Sequence, residues 1–316
     1  MSSNHLVVNS AIAESLDVIG DRWSLLILRD AFLGRRRFEE FRRYTGASKA
    51  TLTRRLAALI AQGLMVKRAT SPSSRRQEYC LSAKGAGLFP VSLLAWQWEH
   101  EWLPNASISL PNELIHRCCK RPIAPQAVCG HCEQSVSLDE IQLATSAVKS
   151  GKHINEIKSL SGQRRVRSAS APESADLRLA GISDLIGDRW TLLLLISAFF
   201  GTKRYEAFAK QLQIASNILS SRLNLLVDNA VLQRQSYQDS PPREEYKLTA
   251  KGVSLFAIVI AMRQWAVEWE ADPDAVAGLL HGSCGALLGI KVKCGSCGEI
   301  VAREDIEYAL PDDNAE

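Results

Sequence analysis

The chain of 316 residues has no run of about 18 apolar residues, so no segment reads as a membrane-spanning helix. Its longest apolar stretch, around Leu192–Phe200, is interrupted by Thr and Ser and is too short to span. Met1-Ser2-Ser3-Asn4-His5 lacks the charged segment and apolar core of an export signal, and a cytoplasmic, nucleoid-associated location is expected. There is no phosphate loop, no nucleophile elbow and no open metal site, so catalysis is not expected. A large excess of one charge is also missing. Thirty-eight Lys and Arg against 34 Asp and Glu leave +4, and a basic partner surface would have to come from local clustering. A hydrophobic share of 46% and a charged share of 23% are ordinary for a globular protein, and the length allows about two or three domains. The eight cysteines are clustered, which suits metal-bound thiolates in a reducing setting better than a disulfide framework.

What the chain does have is a repeat. Ile19-Gly20-Asp21-Arg22-Trp23 returns as Ile186-Gly187-Asp188-Arg189-Trp190, a shift of 167 positions. At that shift Gly34 meets Gly201, Arg37 meets Arg204, Phe41 meets Phe208, and Arg55-Leu56 meets Arg222-Leu223. Glu78-Tyr79 meets Glu245-Tyr246, Ala83-Lys84-Gly85 meets Ala250-Lys251-Gly252, and Trp98 and Trp102 meet Trp265 and Trp269. A period this long marks a duplicated domain rather than a solenoid. The reading gives domains at 9–104 and 176–271, cysteine-bearing tails at 111–140 and 278–310, and a linker at 141–175 whose stretch from Lys149 to Glu173 is rich in Ser, Gly, Lys and Arg.

Within each copy the pattern is mainly α with a small β-wing. Asp21 can cap a helix whose apolar residues Trp23, Leu26, Ile27 and Phe32 lie at helical spacing, with Gly34 as its stop. Phe38 to Tyr44 reads as a short second helix. Ser48 caps a third with Leu52, Leu56 and Leu59 inward, ended by Gly63. The period then alternates, giving strands at Leu64–Ala69 and Gln77–Leu81 joined by a loop with Pro72, Arg75 and Arg76. Ser82 starts one long final helix running to Trp102, where Pro90 would kink the first copy but Ala257 would not kink the second. This order predicts tandem winged helix-turn-helix domains. Leu88, Val91, Trp98 and Trp102, with Leu255, Ile258, Trp265 and Trp269, form apolar stripes that cover either their own core or the other copy.

Opposite the buried face of the third helix stand Ala50, Thr53 and Arg54, with Ser48 and Lys49 at its start. These small, hydroxyl and cationic side chains suit base-edge reading in a major groove. Arg35, Arg36 and Arg37 precede the second helix, Arg42 and Arg43 sit on it, and Arg75 and Arg76 tip the hairpin. A single charge run is often just a solvated face, but three clusters on one edge point to phosphate contacts. The second copy is quieter. Ser216, Asn217, Ser220 and Ser221 replace the third-helix set, with Lys203 and Arg204 before its second helix and Arg243 on its hairpin. The first copy should therefore supply more phosphate energy, and the copies should read different half-sites.

Ile-Gly-Asp-Arg-Trp-Ser-Leu-Leu-Ile-Leu, then Gly-x-x-Arg-Phe-x-x-Phe, then Pro-x-x-Arg-x-x-Glu-Tyr-x-Leu-Ser resembles the HxlR-type family of bacterial transcriptional regulators. The likeness covers roughly 90 residues of each half. It implies a winged helix-turn-helix that normally works as a homodimer on operator DNA. Family members that sense oxidants resemble one another in a cysteine just before the first helix. Neither Asn9-Ser10 nor Asp176-Leu177 supplies one. Because one chain holds both halves, it can form a pseudo-dimer internally.

In the tails, His116-x-x-Cys119, nine residues, Cys129-Gly130-His131-Cys132 recurs as His281-x-x-Cys284, nine residues, Cys294-Gly295-Ser296-Cys297. Each tail reads as one tetrahedral set for structural Zn²⁺, giving two zinc-ribbon-like sites, with the glycine after Cys129 and Cys294 easing a tight turn. A C-x-x-C pair alone could also be a redox dithiol. The duplication selects Cys119 over its neighbour Cys118, and Cys80 on the wing strand reads as an incidental, solvent-facing thiol. The expected partner is double-stranded DNA rather than a membrane, with room for a small-molecule effector and further oligomerisation. The alternative is a protein-interaction scaffold in which one or both copies no longer bind DNA.

Overall fold

The structure, a computed structural model, describes residues 21–69, 76–103, 113–143, 180–240, 242–269 and 278–308. Arg75, the Lys149–Glu173 linker, Asn9-Ser10 and Asp176-Leu177 lie outside the described residues. The first winged helix comprises α1 (Arg22–Phe32), α2 (Phe38–Thr45), α3 (Lys49–Ala61), β1 (Met65–Ala69), β2 (Gln77–Leu81), α4 (Ala83–Ala86) and α5 (Phe89–Trp102). Its tail carries β3 (Ile115–His116), β4 (Arg121–Pro122), β5 (Pro125–Cys129) and β6 (Ile141–Leu143). The second has α6 (Ala180–Ile186), α7 (Arg189–Phe199), α8 (Tyr205–Leu212), α9 (Ser216–Asp228), β7 (Leu232–Asp239), β8 (Pro242–Leu248), α10 (Ala250–Ser254) and α11 (Phe256–Trp269). Its tail carries β9 (Leu279–His281), β10 (Ile290–Cys294) and β11 (Ile306–Glu307).

The chain folds into two compact units that do not follow the sequence halves. The first unit takes Asp21–Val128 together with the described residues 180–183 and 291–308. The second takes Asp184–Ile290 together with the described residues 129–143. Each winged helix thus shares its unit with the end of the other copy's tail. The short sheets record the exchange: in the first unit β11 pairs with β3, which also pairs with β4, and in the second β6 pairs with β9.

In the first unit the three-helix core closes on Leu26 and Ile27 of α1, Phe41 of α2 and Leu52, Leu56 and Leu59 of α3, all buried. Each such side chain contributes about 1.5–3 kcal/mol on leaving water. Asp21 accepts from the amides of Trp23 (3.0 Å) and Ser24 (3.3 Å), capping α1, and its carboxylate lies 3.3 Å from Arg55 of α3. In the second unit Asp188 accepts from the Thr191 amide (2.9 Å) and takes two hydrogen bonds at 2.8 Å from Arg222 of α9. The repeated Asp and Arg are therefore one device, a helix cap tied to the third helix. The wings are antiparallel, with Met65 opposite Leu81 and Leu232 opposite Leu248.

The long final helix expected from Ser82 is two helices in each copy. Ser82 and Thr249 cap α4 and α10 by accepting from Gly85 and Gly252 (3.0 and 3.1 Å), and each short helix ends before a new one begins. Pro90 falls in the first turn of α5, where no amide is needed, and the second copy breaks at the same place without it, so the one-sided kink does not arise. Gly85 and Gly252 explain the repeated Ala-Lys-Gly. A Cβ there would lie 2.1 Å from the Leu64 carbonyl and 2.2 Å from that of Val231. Trp98 and Trp265 are buried, whereas Trp269 is 37% exposed. Residues 250–269 have the length and composition of a membrane span, but more than half of that segment is buried, with Ile258, Val259, Met262 and Trp265 in the core.

Candidate nucleic-acid interface and metal clusters

In the first unit Ser48 caps α3 by accepting from the Thr51 amide at 3.2 Å, and Lys49, Ala50, Thr53 and Arg54 are exposed. The Tyr79 amide donates to the Arg36 carbonyl at 2.8 Å, and the Tyr79 ring meets Phe41 edge-on. The loop bearing Arg36 and Arg37 is thereby held against the wing. Both arginines are exposed, Arg36 lying 3.8 Å from Glu78, and Arg76 is exposed at the start of β2. Arg35 departs from the expected cluster. It is buried, pairs with Asp30 at 2.7 Å and stacks 3.4 Å from the Tyr44 ring centre, so it belongs to the core and not to a phosphate-facing edge. Arg42 pairs with Glu39 at 2.7 Å. Two exposed wing cations that the sequence reading missed, Lys67 and Arg68, follow from the same strand pattern that located β1.

The second unit repeats the frame. The Tyr246 amide donates to the Lys203 carbonyl at 2.7 Å, and Tyr246 meets Phe208 edge-on. Ser216, Asn217, Ser220 and Ser221 are exposed on α9, and Lys203, Arg204 and Arg243 are exposed around it. The phenol of Tyr205 donates to the Ser216 carbonyl at 3.1 Å and lies 3.2 Å from the Ser220 hydroxyl. Arg204 lies over Tyr237, 4.5 Å from its ring centre. Arg234, also missed, reaches Asn224 and Glu244 from β7.

The eight cysteine and histidine ligand candidates assemble, but not tail by tail. His116 and Cys119 come together with Cys294 and Cys297 in the first unit, and Cys129 and Cys132 with His281 and Cys284 in the second. The expectation of one set per tail is corrected. The nine residues between the pairs include the extended strand β5 or β10, which carries each C-x2-C pair away from its own H-x2-C pair. His116 Nδ1 lies 3.6 Å from Cys119 Sγ and 3.3 Å from Cys297 Sγ. His281 Nδ1 lies 3.5 Å from Cys284 Sγ and 3.4 Å from Cys132 Sγ, and Cys129 and Cys284 are 3.9 Å apart. Either cluster could hold a metal ion. Cys119 takes part and Cys118 stays exposed, while Cys80 is half-buried.

All four candidate ligand pairs share one turn. The residue after each second ligand is left-handed: Lys120, Glu133, Gly285 and Gly298 have φ of 56°, 57°, 68° and 81°. Their amides donate to the carbonyls of His116, Cys129, His281 and Cys294 at 2.7–2.9 Å. Gly130 and Gly295 are not left-handed, so the turn is made after each pair and not within it. Burial raises the Cys129 thiol, but the amides of Cys132 and His131 outweigh it and hold it at about 7. Cys294 is lowered in the same manner by Ser296 and Cys297. Cys297, despite the Glu299 amide, is pushed up to about 11 by desolvation and the thiols of Cys294 and Cys119. In each C-x-x-C pair the first cysteine is therefore the more easily ionised. On the far side of His281, Nε2 lies 3.5 Å from a Glu140 carboxylate oxygen without forming a hydrogen bond.

Residues 18–107 and 185–274 both match the family model described as HxlR-like helix-turn-helix. Over 124 residues the chain is 38% identical to an uncharacterized HTH-type transcriptional regulator of Mycobacterium tuberculosis, a match covering 39% of this chain and 78% of that protein. It is 31% identical over 93 residues to the HTH-type transcriptional regulator YodB of Bacillus subtilis, covering 29% of this chain and 83% of YodB. Among solved structures, a candidate transcription factor of Pseudomonas aeruginosa, PA1374, is 28% identical with a TM-score of 0.34, covering 42% of this chain and 91% of that one.

Proposed function

Because the chain belongs to the HxlR-like helix-turn-helix family and carries that domain twice, we propose that it is a sequence-specific DNA-binding transcriptional regulator acting as an intramolecular pseudo-dimer. The observation that carries this reading is α3, whose inner face is buried and locked by Asp21–Arg55 while Lys49, Ala50, Thr53 and Arg54 face outward. Phosphate contacts would come from Lys49, Arg36, Arg37, Arg75 and Arg76 in the first copy and Lys203, Arg204 and Arg243 in the second. Base reading would come from Ala50, Thr53 and Arg54 and from Ser216, Asn217, Ser220 and Ser221. Paired recognition helices expect half-sites about one helical turn apart. Unequal charge on the two helices expects unequal half-sites. Selection of bound sequences from a random pool tests this: an imperfect inverted repeat supports it, and a perfect palindrome or no enriched sequence contradicts it.

Each cluster fits Zn²⁺. A tetrahedral site with Zn–S near 2.3 Å and Zn–N near 2.0 Å separates its ligand atoms by about 3.5–3.8 Å; five of the pairs here lie 3.3–3.9 Å apart, and all four candidate ligand atoms of each cluster lie within 4.8 Å of one another. The metal would supply structural cross-linking, since three thiols and one imidazole leave no open position. The winged helices at 9–104 and 176–271 would then be joined through tails at 111–140 and 278–310 in exchanged pairing, across the 141–175 linker.

The second reading, a protein-interaction scaffold, draws on one observation. The recognition face of α9 is uncharged, and its Ser220 hydroxyl is already engaged by Tyr205. On that reading the second copy contributes nothing to DNA affinity.

A further inference from the structure

In the first unit an open pocket lies between α1, α5 and the exchanged tail segment. Its walls are Phe32, Phe89, Leu93, Trp96, Leu114 and Ile306. Four polar side chains interrupt them: Arg29, Ser92, Arg303 and Tyr308. Arg29, and Arg35 behind the wall, both nearly inaccessible, share the buried carboxylate of Asp30 at 2.7 Å each. Arg303 adds a third guanidinium, lying over Phe32 and reaching the Ala31 carbonyl at 3.5 Å. Two buried guanidiniums thus share one buried anion, and Arg303 lines the same pocket as Arg29. Trp96 carries an indole N–H that is buried without a hydrogen-bond partner.

Burying such charge is costly, and the duplicated copy shows that the scaffold does not need it. At the 167 shift Arg29, Asp30 and Arg35 become Ile196, Ser197 and Thr202. There the Ser197 hydroxyl donates to its own helix at 2.8 Å and Thr202 donates to Gln211 at 2.8 Å, with no charge involved. At the tail's shift of 165 Arg303 and Tyr308 become Leu138 and Leu143, and at 167 Trp96 becomes Arg263. The charged set is specific to the first unit, and it converges on the pocket.

We propose that this pocket is a binding site for an apolar monocarboxylate, an aromatic or aliphatic acid whose tail lies among Phe32, Phe89 and Leu93 and whose carboxylate meets Arg303, Tyr308 and the Trp96 N–H. A planar carboxylate matches the guanidinium fork, and the largely apolar walls disfavour a doubly charged, strongly hydrated phosphate. The phenol of Tyr308, whose ionisation burial disfavours, is a donor to such an anion.

Isothermal titration of the full-length, metal-loaded chain with benzoate, phenylacetate and 3-phenylpropionate, each against its amide and against inorganic phosphate, tests the proposal. The expected result is saturable binding of at least one acid at one site per chain, at least about tenfold tighter than its amide. Arg303→Gln should remove that preference, and Ser92→Phe, which fills the pocket, should remove binding, with both variants keeping the parent's melting temperature. Absence of saturable binding by all three acids overturns the proposal. So does equal affinity for acid and amide, or a preference for inorganic phosphate. Unaltered binding by two folded variants would also overturn it, by placing the site elsewhere.

Discussion

Cys132 Sγ lies 3.4 Å from His281 Nδ1, although 149 positions separate them in the chain. The complementary contact, Cys297 to His116 at 3.3 Å, spans 181 positions. Each cluster therefore joins one pair from each half of the chain. A duplication that reads as two separate domains with separate tails is built as a reciprocal exchange, in which neither unit is complete with one half alone.

The first prediction concerns DNA. Lys49→Ala with Arg54→Ala should weaken binding to the selected sequence about 10- to 100-fold at fixed salt. It should also lower the slope of log affinity against log salt by about 0.9, since Lys49 is the phosphate contact of the two and each lost phosphate contact removes about 0.9. Asn217→Ala with Ser221→Ala should weaken binding less and leave the slope unchanged. Anisotropy titrations over a salt series measure both, and equal slopes for the two double variants would contradict the charge asymmetry.

Asp188→Ala should destabilise the protein by about 2–3 kcal/mol. It removes a helix cap and also strands the Arg222 guanidinium, which is only 13% exposed. Asp21→Ala should cost less, because its Arg55 contact is longer at 3.3 Å. Thermal melts monitored by circular dichroism would show this order, and an equal or reversed order would count against the cap-and-lock reading.

Gly85→Ala and Gly252→Ala should each cost about 3 kcal/mol or more, because the added Cβ meets backbone carbonyl oxygen and not a movable side chain. Gly201→Ala meets nothing within 4 Å and should cost only the strain of its φ of +87°, about 1 kcal/mol. Comparable melting temperatures for Gly85→Ala and Gly201→Ala would refute the close-approach explanation.

Locally encoded features were legible in the sequence: the Asp21 and Ser48 caps, the inward Leu52, Leu56 and Leu59, and the hairpin of β1 and β2 each depend on residues a few positions apart. Which cysteines and histidines would gather was legible too, because spacing marks the knuckles. Ligand partnership was not, since spacing cannot say which pair a rigid strand carries away. The break between α4 and α5 was hidden because apolar periodicity runs on across two residues. Arg35 was hidden because three consecutive arginines look alike until Asp30 and Tyr44 fold around one of them.

The exchange itself is tested most directly by counting zinc in double variants of the purified full-length chain. Cys119→Ser with Cys132→Ser strikes one ligand of each cluster and should leave no tightly bound zinc, whereas Cys132→Ser with Cys284→Ser strikes a single cluster and should leave one zinc per chain. The reverse outcome, one zinc retained by the first variant and none by the second, would mean that each tail closes its own site.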